Sequence, residues 1–219
     1  MSAVPPAPAE LPIETVRLIL RRYEDRDVGD ILEYTREADY WLTRNLDWTP
    51  VAGSIRAYFD AQREQKMDEF PRWVNLMMEL KSEHKVIGCV GIGVTNREQG
   101  QASIGWMLGC RYQGQGLATE AAQALVDFGF GSMDLHRIFA RTGKSNTRSW
   151  RLMERLGMRR EAHFRQSHKV RGLWDDEFVY AILAHEWKGM RAGEGLAQAA
   201  LTATAIRSPL EVGSKGEPS

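Results

Sequence analysis

The sequence carries no net charge: Lys plus Arg and Asp plus Glu each number 29 among 219 residues. Without a global field the chain does not gather nucleic acid or an anionic membrane, so any anion site must be local. Cysteine is nearly absent. Cys89 and Cys110 stand alone, outside any CxxC pair and away from histidines at metal-ligand spacing. That excludes a disulfide framework and a cysteine-based metal centre, and two free thiols are expected. No run reaches the roughly 20 apolar residues of a membrane helix. The opening residues (Ser2, Ala3, Pro5, Pro6, Pro8) lack the basic start and apolar core of a secretory leader. The expectation is a soluble cytoplasmic protein without nucleic-acid or membrane partners and without a metal.

What is present suits one domain with a sizeable core: 43% of residues are hydrophobic and 26% charged. Residues 1–12 are Pro- and Ala-rich and are expected to form a disordered tail. The folded domain is expected over 13–187, and 188–219 as an extension with an Ala-rich possible helix before a disordered end. Arg17 to Tyr23 alternates apolar and polar residues as a strand does, and Ile31, Leu32 and Tyr34 then follow at helical spacing. Pro50 opens a second helical pattern through Ile55, Tyr58 and Phe59 to about Met67. Three strand patterns follow, 73–80, 86–94 and 104–108, separated by turn signals at 81–84 and 96–100, and they read as antiparallel neighbours.

Leu117, Ala121, Ala124, Leu125 and Phe128 mark an amphipathic helix fading at Gly129 and Gly131. A short strand at 137–141 precedes a helix over 146–156, with Gly157 as its left-handed cap. Two strands close the pattern, about 159–170 and 177–187, joined through Arg171 and Gly172. This order is an α+β layout built on one mixed sheet.

The segment from Arg111 to Gly116 (Arg-Tyr-Gln-Gly-Gln-Gly) lies between a strand ending near Leu108 and a helix starting near Leu117. Its two glycines could bring backbone N–H groups close to a phosphate at a helix N-terminus, with Arg111 adding a cation. The plainer reading is a turn that only reverses the chain. No Gly-Lys-Ser/Thr follows, and Thr119 stands where a dinucleotide fingerprint needs a third glycine, so neither standard nucleotide pattern applies.

Arg111-x-x-Gly114-x-Gly116, followed by Leu117 to Ala122, resembles motif A of the GNAT acetyltransferases. Ile104 to Leu108 resembles that family's bulged fourth strand. Asn146 and Ser149 with Glu154, Leu156, Gly157 and Met158 resemble a further signature, so that the likeness runs from about Thr15 to Trp187. It points most to the branch with the ribosomal-protein N-terminal acetyltransferases RimJ and RimL.

The resemblance implies a GNAT fold: a single mixed, mostly antiparallel sheet of about six or seven strands, flanked by helices and splayed at strands four and five. Gly105 is expected to form the bulge at the splay. Acetyl-CoA is the implied cosubstrate. Met107 and Leu108 would offer backbone to its pantetheine arm, and Gln113, Gly114, Gln115, Gly116, Leu117, Ala118 and Thr119 would hold its diphosphate. Asn146 would contact pantetheine, and Ser149 would lie near the sulfur and donate a proton to the departing thiolate. Asn and Ser at these positions could equally cap the helix, and the two readings are compatible.

The implied reaction is direct attack of a neutral primary amine on the thioester, with a backbone donor for the oxyanion. Many members place a Glu just before the fourth strand, where this chain has Gln101, Ala102 and Ser103. Met153 occupies the place of the tyrosine acid of other branches. His168 falls where the RimL-like branch carries a Glu, and stands as the candidate base or as a surface histidine without a role. Lacking an evident carboxylate base, the site favours an α-amine with a pKa of about 8 over a lysine near 10.4, a gap of roughly 3 kcal/mol. Tyr34, Tyr40, Trp41 and Trp174 are candidate acceptor contacts, with core packing as the alternative. The competing functions are acetylation of a small amine (an antibiotic, polyamine or amino acid) and a non-catalytic acyl-CoA-binding module. A monomer or homodimer is expected.

Overall fold

Three apolar runs between Trp73 and Leu108, separated by two polar turns, place the centre of the sheet, because adjacent runs of this kind satisfy their backbones by pairing with each other. The structure, a computed structural model, describes residues 11–36, 51–63, 73–170 and 172–193. In chain order its strands and helices are β1 (Ile13–Glu14), β2 (Leu18–Arg21), α1 (Val28–Thr35), α2 (Ala52–Arg63), β3 (Trp73–Leu80), β4 (Lys85–Asn96), β5 (Gln101–Leu108), α3 (Leu117–Gly131), β6 (Arg137–Gly143), α4 (Thr147–Arg155), β7 (Arg159–Val170) and β8 (Leu173–Leu183). The strands form one sheet in the order β1-β2-β3-β4-β5-β6-β8-β7.

β4 is buried along most of its length, so both faces of the sheet are covered there. On one face Ile31 and Tyr34 of α1 and Ile55 and Phe59 of α2 pack with Met77, Cys89 and Met107. Strand alternation sends Ile92 to the opposite face from Cys89, where it lies beneath Gly129 of α3. α3 runs through Gly129 to Gly131 rather than fading there: a side chain at 129 would come within 2.8 Å of Ile138 Cδ1, so this glycine serves close helix-to-sheet packing.

The start of α1 is tied to the sheet by ions. Arg21 bonds Asp27 at 2.8 Å and Glu79 at 2.6 Å, and all three side chains are nearly buried. The hydrogen bonds that Arg21 donates to Asp27, opposed by burial and assisted by Glu79, hold the guanidinium pKa above its ordinary value.

All neighbouring strands are antiparallel except β5 and β6, which run parallel through only three pairs, from Gln101↔Arg137 to Ser103↔Phe139. β5 stays paired with β4 as far as Leu108. From Ile104 onward it therefore has no strand partner on its other edge among the described residues, which is the splay implied by the resemblance to GNAT proteins.

Two expectations are corrected. Gly105 is not a bulge: it sits in register opposite Gly91, and the shift between β4 and β5 falls at Val94/Asn96. Both glycines instead make room for the indole of Trp73, which a Cβ at 91 would strike and a Cβ at 105 would approach to 3.3 Å. The sheet has eight strands, the two-residue β1 included, close to the expected number. The last strand runs 173–183 rather than 177–187, because the turn closes at Gly172, with φ +79, and the chain is helical from 184 to 193.

The chain divides into two compact units, 1–184 and 185–219. In the second, the described residues 185–193 are helical, with Arg191 stacked on Trp187 at 5.7 Å. The remainder of the proposed extension and the N-terminal tail up to residue 10 lie outside the described residues.

Candidate active site

The glycine loop turns the chain from β5 into α3. Gly109 N–H donates to the Ile87 carbonyl at 2.9 Å, and a short turn at Cys110–Tyr112 brings in the buried Tyr112. Burial, together with its hydrogen bond to Glu83 at 2.8 Å, pushes the Tyr112 phenol up to about 12. Gly114 and Gly116 have φ of +77 and +79, a region where a Cβ is strained, so both glycines are needed by the turn itself. Gly116 is the N-cap of α3 and supplies no side-chain cap, leaving first-turn N–H groups for an external acceptor.

That helix end opens on a cavity of about 790 Å³ between the end of β5, the glycine loop and α4. Met107, Leu108, Gln113, Gly114, Gly116, Leu117, Ala118, Thr119, Asn146 and Ser149 all line it, so most of the sequence-predicted acetyl-CoA residues come together. Asn146 also caps α4, accepting from Ser149 N–H at 3.2 Å. Capping and cavity lining therefore coexist at these two residues.

Arg111 and Gln115 are not among the cavity's lining residues. Arg111 stacks on the Tyr112 ring at 5.2 Å and donates to Glu33 of α1 at 3.4 Å. Gln115 turns its amide to the Arg111 carbonyl at 3.1 Å. The cations that do line the cavity are Arg148, Arg151 and Arg155 of α4. Their i, i+3, i+7 spacing puts all three on one helix face, a signal present in the sequence. Arg148 donates to Gln113 Oε1 at 2.7 Å, and Gln113 Nε2 to the Leu108 carbonyl at 3.0 Å. Trp106, Ser145, Thr147 and Leu152 also line the cavity and were not anticipated.

His168 is not a lining residue either, but it is linked to one. Its Nε2 lies 3.8 Å from Asp175 Oδ2, and that same oxygen accepts from Ser145 Oγ at 2.7 Å. Gly143 permits the arrangement, since a side chain there would meet Asp175 Oδ2 at 2.6 Å and His168 Nε2 at 3.1 Å. The place of His168 depends on a β7 bulge between Phe164 and His168, with Gln166 at φ +48. Asp176 anchors the bulge. It accepts from Gln166 N–H at 2.9 Å, His163 Nε2 at 2.7 Å and Lys144 at 3.3 Å, and these donors, Gln166 foremost, hold its carboxyl well below the usual range.

The expected aromatic acceptor pocket does not assemble among the described residues. Tyr34 is only 4% exposed and belongs to the core under α1 and α2, because its helical spacing places it on the buried face. Trp174 is 59% exposed on the β7–β8 hairpin, with Lys169 Nζ over its ring at 4.9 Å. Tyr40 and Trp41 lie outside the described residues. Among the described residues no group of three or more His, Cys, Asp or Glu could hold a metal ion, and no helix is long and apolar enough to cross a membrane.

Glycine-loop amides and guanidinium groups beside an unpaired strand edge suit a long acyl carrier with phosphates at one end. The class so defined is the acyl-CoA-dependent acyltransferases. Residues 17–159 match the acetyltransferase (GNAT) domain, and the chain belongs to the GNAT family of N-acetyltransferases, enzymes that use acetyl-CoA. It is 33% identical over 181 residues to the uncharacterized N-acetyltransferase YnaD of Bacillus subtilis, covering 80% of this chain and 98% of that one. It is 26% identical to the ribosomal protein uS5-alanine N-acetyltransferase of Escherichia coli, over 80% of this chain and 92% of that one. Among solved structures, a GNAT acetyltransferase from Bacillus anthracis superposes with a TM-score of 0.70 at 32% identity, over 80% of this chain and all of the other.

Proposed function

We propose that the protein transfers acetyl from acetyl-CoA to the α-amino group of a peptide or protein, as the uS5-alanine enzyme's name describes for that relative. The observation that carries the binding half is the cavity itself, in which the Gly114–Gly116 turn, the uncapped start of α3 and three arginines of α4 face one space. Diphosphate and 3′-phosphate charges find donors there. The edge of β5 beyond Ser103, without a strand partner, offers main-chain groups to the pantetheine amides and a donor to the oxyanion.

The amine attacks as the neutral base, the C–N bond forms, and collapse of the tetrahedral intermediate breaks the C–S bond. Ser149, whose backbone is fixed by Asn146, donates its hydroxyl hydrogen bond to the departing sulfur. No carboxylate stands at the start of β5, so the amine proton leaves by another route. Ser145 at the cavity wall, Asp175 behind it and half-buried His168 beyond form a polar line from the cavity toward solvent. An α-amine needs least help from such an indirect route.

The test is CoA release from acetyl-CoA with short peptides beginning in Ala or Ser, against spermidine and free amino acids. Turnover with the peptides supports the reading. Turnover with only the small amines would move the assignment to the small-molecule branch, and silence with every acceptor despite acetyl-CoA binding would leave a binding module.

A further inference from the structure

The side of the glycine loop away from the cavity is held by Arg17 of the β1–β2 turn, 98 positions before Gln115 in the chain. Glu120, in the first turn of α3, accepts from Thr15 Oγ1 at 2.6 Å, from Arg17 N–H at 2.7 Å and from Arg17 Nε at 2.7 Å. The guanidinium so oriented donates from Nη1 to the Gln115 carbonyl at 2.9 Å. Arg17 Nη2 also sits 3.5 Å from where a Cβ of Gly116 would be. Arg17 and Gln115 do not line the cavity, whereas Gly116 does.

A trans peptide unit points its C=O and the following N–H in opposite directions. A donor gripping the Gln115 carbonyl from behind therefore aims the Gly116 N–H the other way, toward the cavity. The grip matters because the unit has a glycine on its far side. With glycine at 116, whose φ is +79, a flip of this peptide plane costs little, and it would present a carbonyl oxygen to a phosphate in place of a donor.

The same pair answers a charge problem. Glu120 is an anion in the first turn of the helix whose N-terminus faces the cavity, where it would oppose a bound diphosphate. Burial pushes its carboxyl up, but the Thr15 and Arg17 donors outweigh that and hold it below its usual value, so it is ionised and spent on Arg17.

We infer that Arg17 and Glu120 are positioning residues for acetyl-CoA: Glu120 orients Arg17, and Arg17 locks the Gln115–Gly116 peptide so that its N–H faces the diphosphate. The inference rests on the reading of this loop as the diphosphate site. In physical terms the pair prepays the ordering of a glycine loop that the ligand would otherwise have to order on binding.

Glu120→Ala gives the decisive sign. Acting only through space, loss of an anion near the diphosphate tightens acetyl-CoA; with the brace gone, affinity falls despite the removed repulsion. The expected result in calorimetry is about tenfold weaker binding, the size of one charge-assisted hydrogen bond. Arg17→Gln, at a half-exposed position, should weaken acetyl-CoA and CoA equally, and Arg17→Lys should recover only part. Faster exchange of the Gly116 amide in the folded variants is the accompanying readout, one that a purely structural role elsewhere would not move. Wild-type or tighter affinity in Glu120→Ala and Arg17→Gln would overturn the brace while leaving the functional reading intact. Should Glu120→Ala not fold, Arg17→Gln and its Gly116 exchange rate decide the matter alone. A wild-type protein that fails to bind acetyl-CoA would remove the functional reading, and the brace with it.

Discussion

Arg148 Nη1 lies 2.7 Å from Gln113 Oε1, joining the helix that carries the arginines to the loop that carries the glycines. Gln113 in turn holds the Leu108 carbonyl at the end of β5. The end of β5, the loop that follows it and the distant α4 thus meet at one glutamine. The rim of the cavity is prearranged, and Gln113→Ala should weaken acetyl-CoA by more than the loss of a single contact.

The arginines of α4 supply a separable electrostatic contribution. Replacing Arg151 and Arg155 together with Ala should weaken acetyl-CoA roughly tenfold to a hundredfold. The salt dependence of binding should shrink with it, since fewer cations meet the phosphates. Calorimetry at two ionic strengths checks both effects, and an unchanged salt slope would remove these residues from phosphate binding.

Ser149 and Asn146 should separate chemistry from architecture. Ser149→Ala is expected to lower turnover while acetyl-CoA affinity stays near wild type, the pattern of an interaction made in the transition state. Asn146→Ala also removes a helix cap, so about 1 kcal/mol of stability should go with it in denaturant melts.

Asp175→Asn keeps an acceptor for Ser145 but removes the charge facing His168. If the amine proton leaves along this line, Asp175→Asn and His168→Ala should both cut turnover about a hundredfold, the lower range for acid–base assistance, with acetyl-CoA affinity intact. Wild-type rates in both variants would assign the proton to solvent.

The Arg21, Asp27 and Glu79 cluster predicts a stability effect away from the cavity. Glu79→Ala strips one carboxylate from a nearly buried guanidinium and should cost about 3–5 kcal/mol in urea unfolding. Glu79→Gln, which can still accept from Arg21 Nε, should cost less.

Tyr112 sets a limit at high pH. Its folded pKa is raised to about 12, above an unfolded value of about 10, so the protonated phenol favours the fold. That stability is complete below about pH 10 and is lost as pH rises toward 12. Phenolate absorbance during alkaline titration should show a late-ionising component, to which Tyr23 and Tyr180, also raised by burial, contribute beside Tyr112. Tyr112→Phe should flatten the alkaline loss of stability.

The strands from Trp73 to Leu108 were legible because alternation and polar turns are local signals, and their bounds agree closely with β3, β4 and β5. The glycine loop, Asn146 and Ser149 were legible for the same reason, each being a short motif beside a helix start. Gly105 misled because a strand glycine signals either a bulge or a close approach, and only the distant Trp73 decides between them. Arg111 misled because motif position does not reveal direction: Glu33, on another segment, and the adjacent Tyr112 ring draw it away. Asp175 escaped notice because nothing near Trp174 in sequence marks it as a neighbour of Ser145. The contact exists only after β7 and β8 pair and β6 delivers Gly143 beside them.

Among the described residues, three residue pairs join β5 to β6, and with the Gly100 carbonyl accepting from His136 and Arg137 N–H they make up the backbone pairing between the five strands on one side and the three on the other. The sheet is thus two half-sheets with a short seam, and the cavity lies where the seam gives out. A ligand bound along β5 beyond Ser103 would lengthen that seam. Saturating acetyl-CoA should then slow amide exchange in β6 and β8 as well as in the loop it touches, making cohesion of the two halves itself a measure of occupancy.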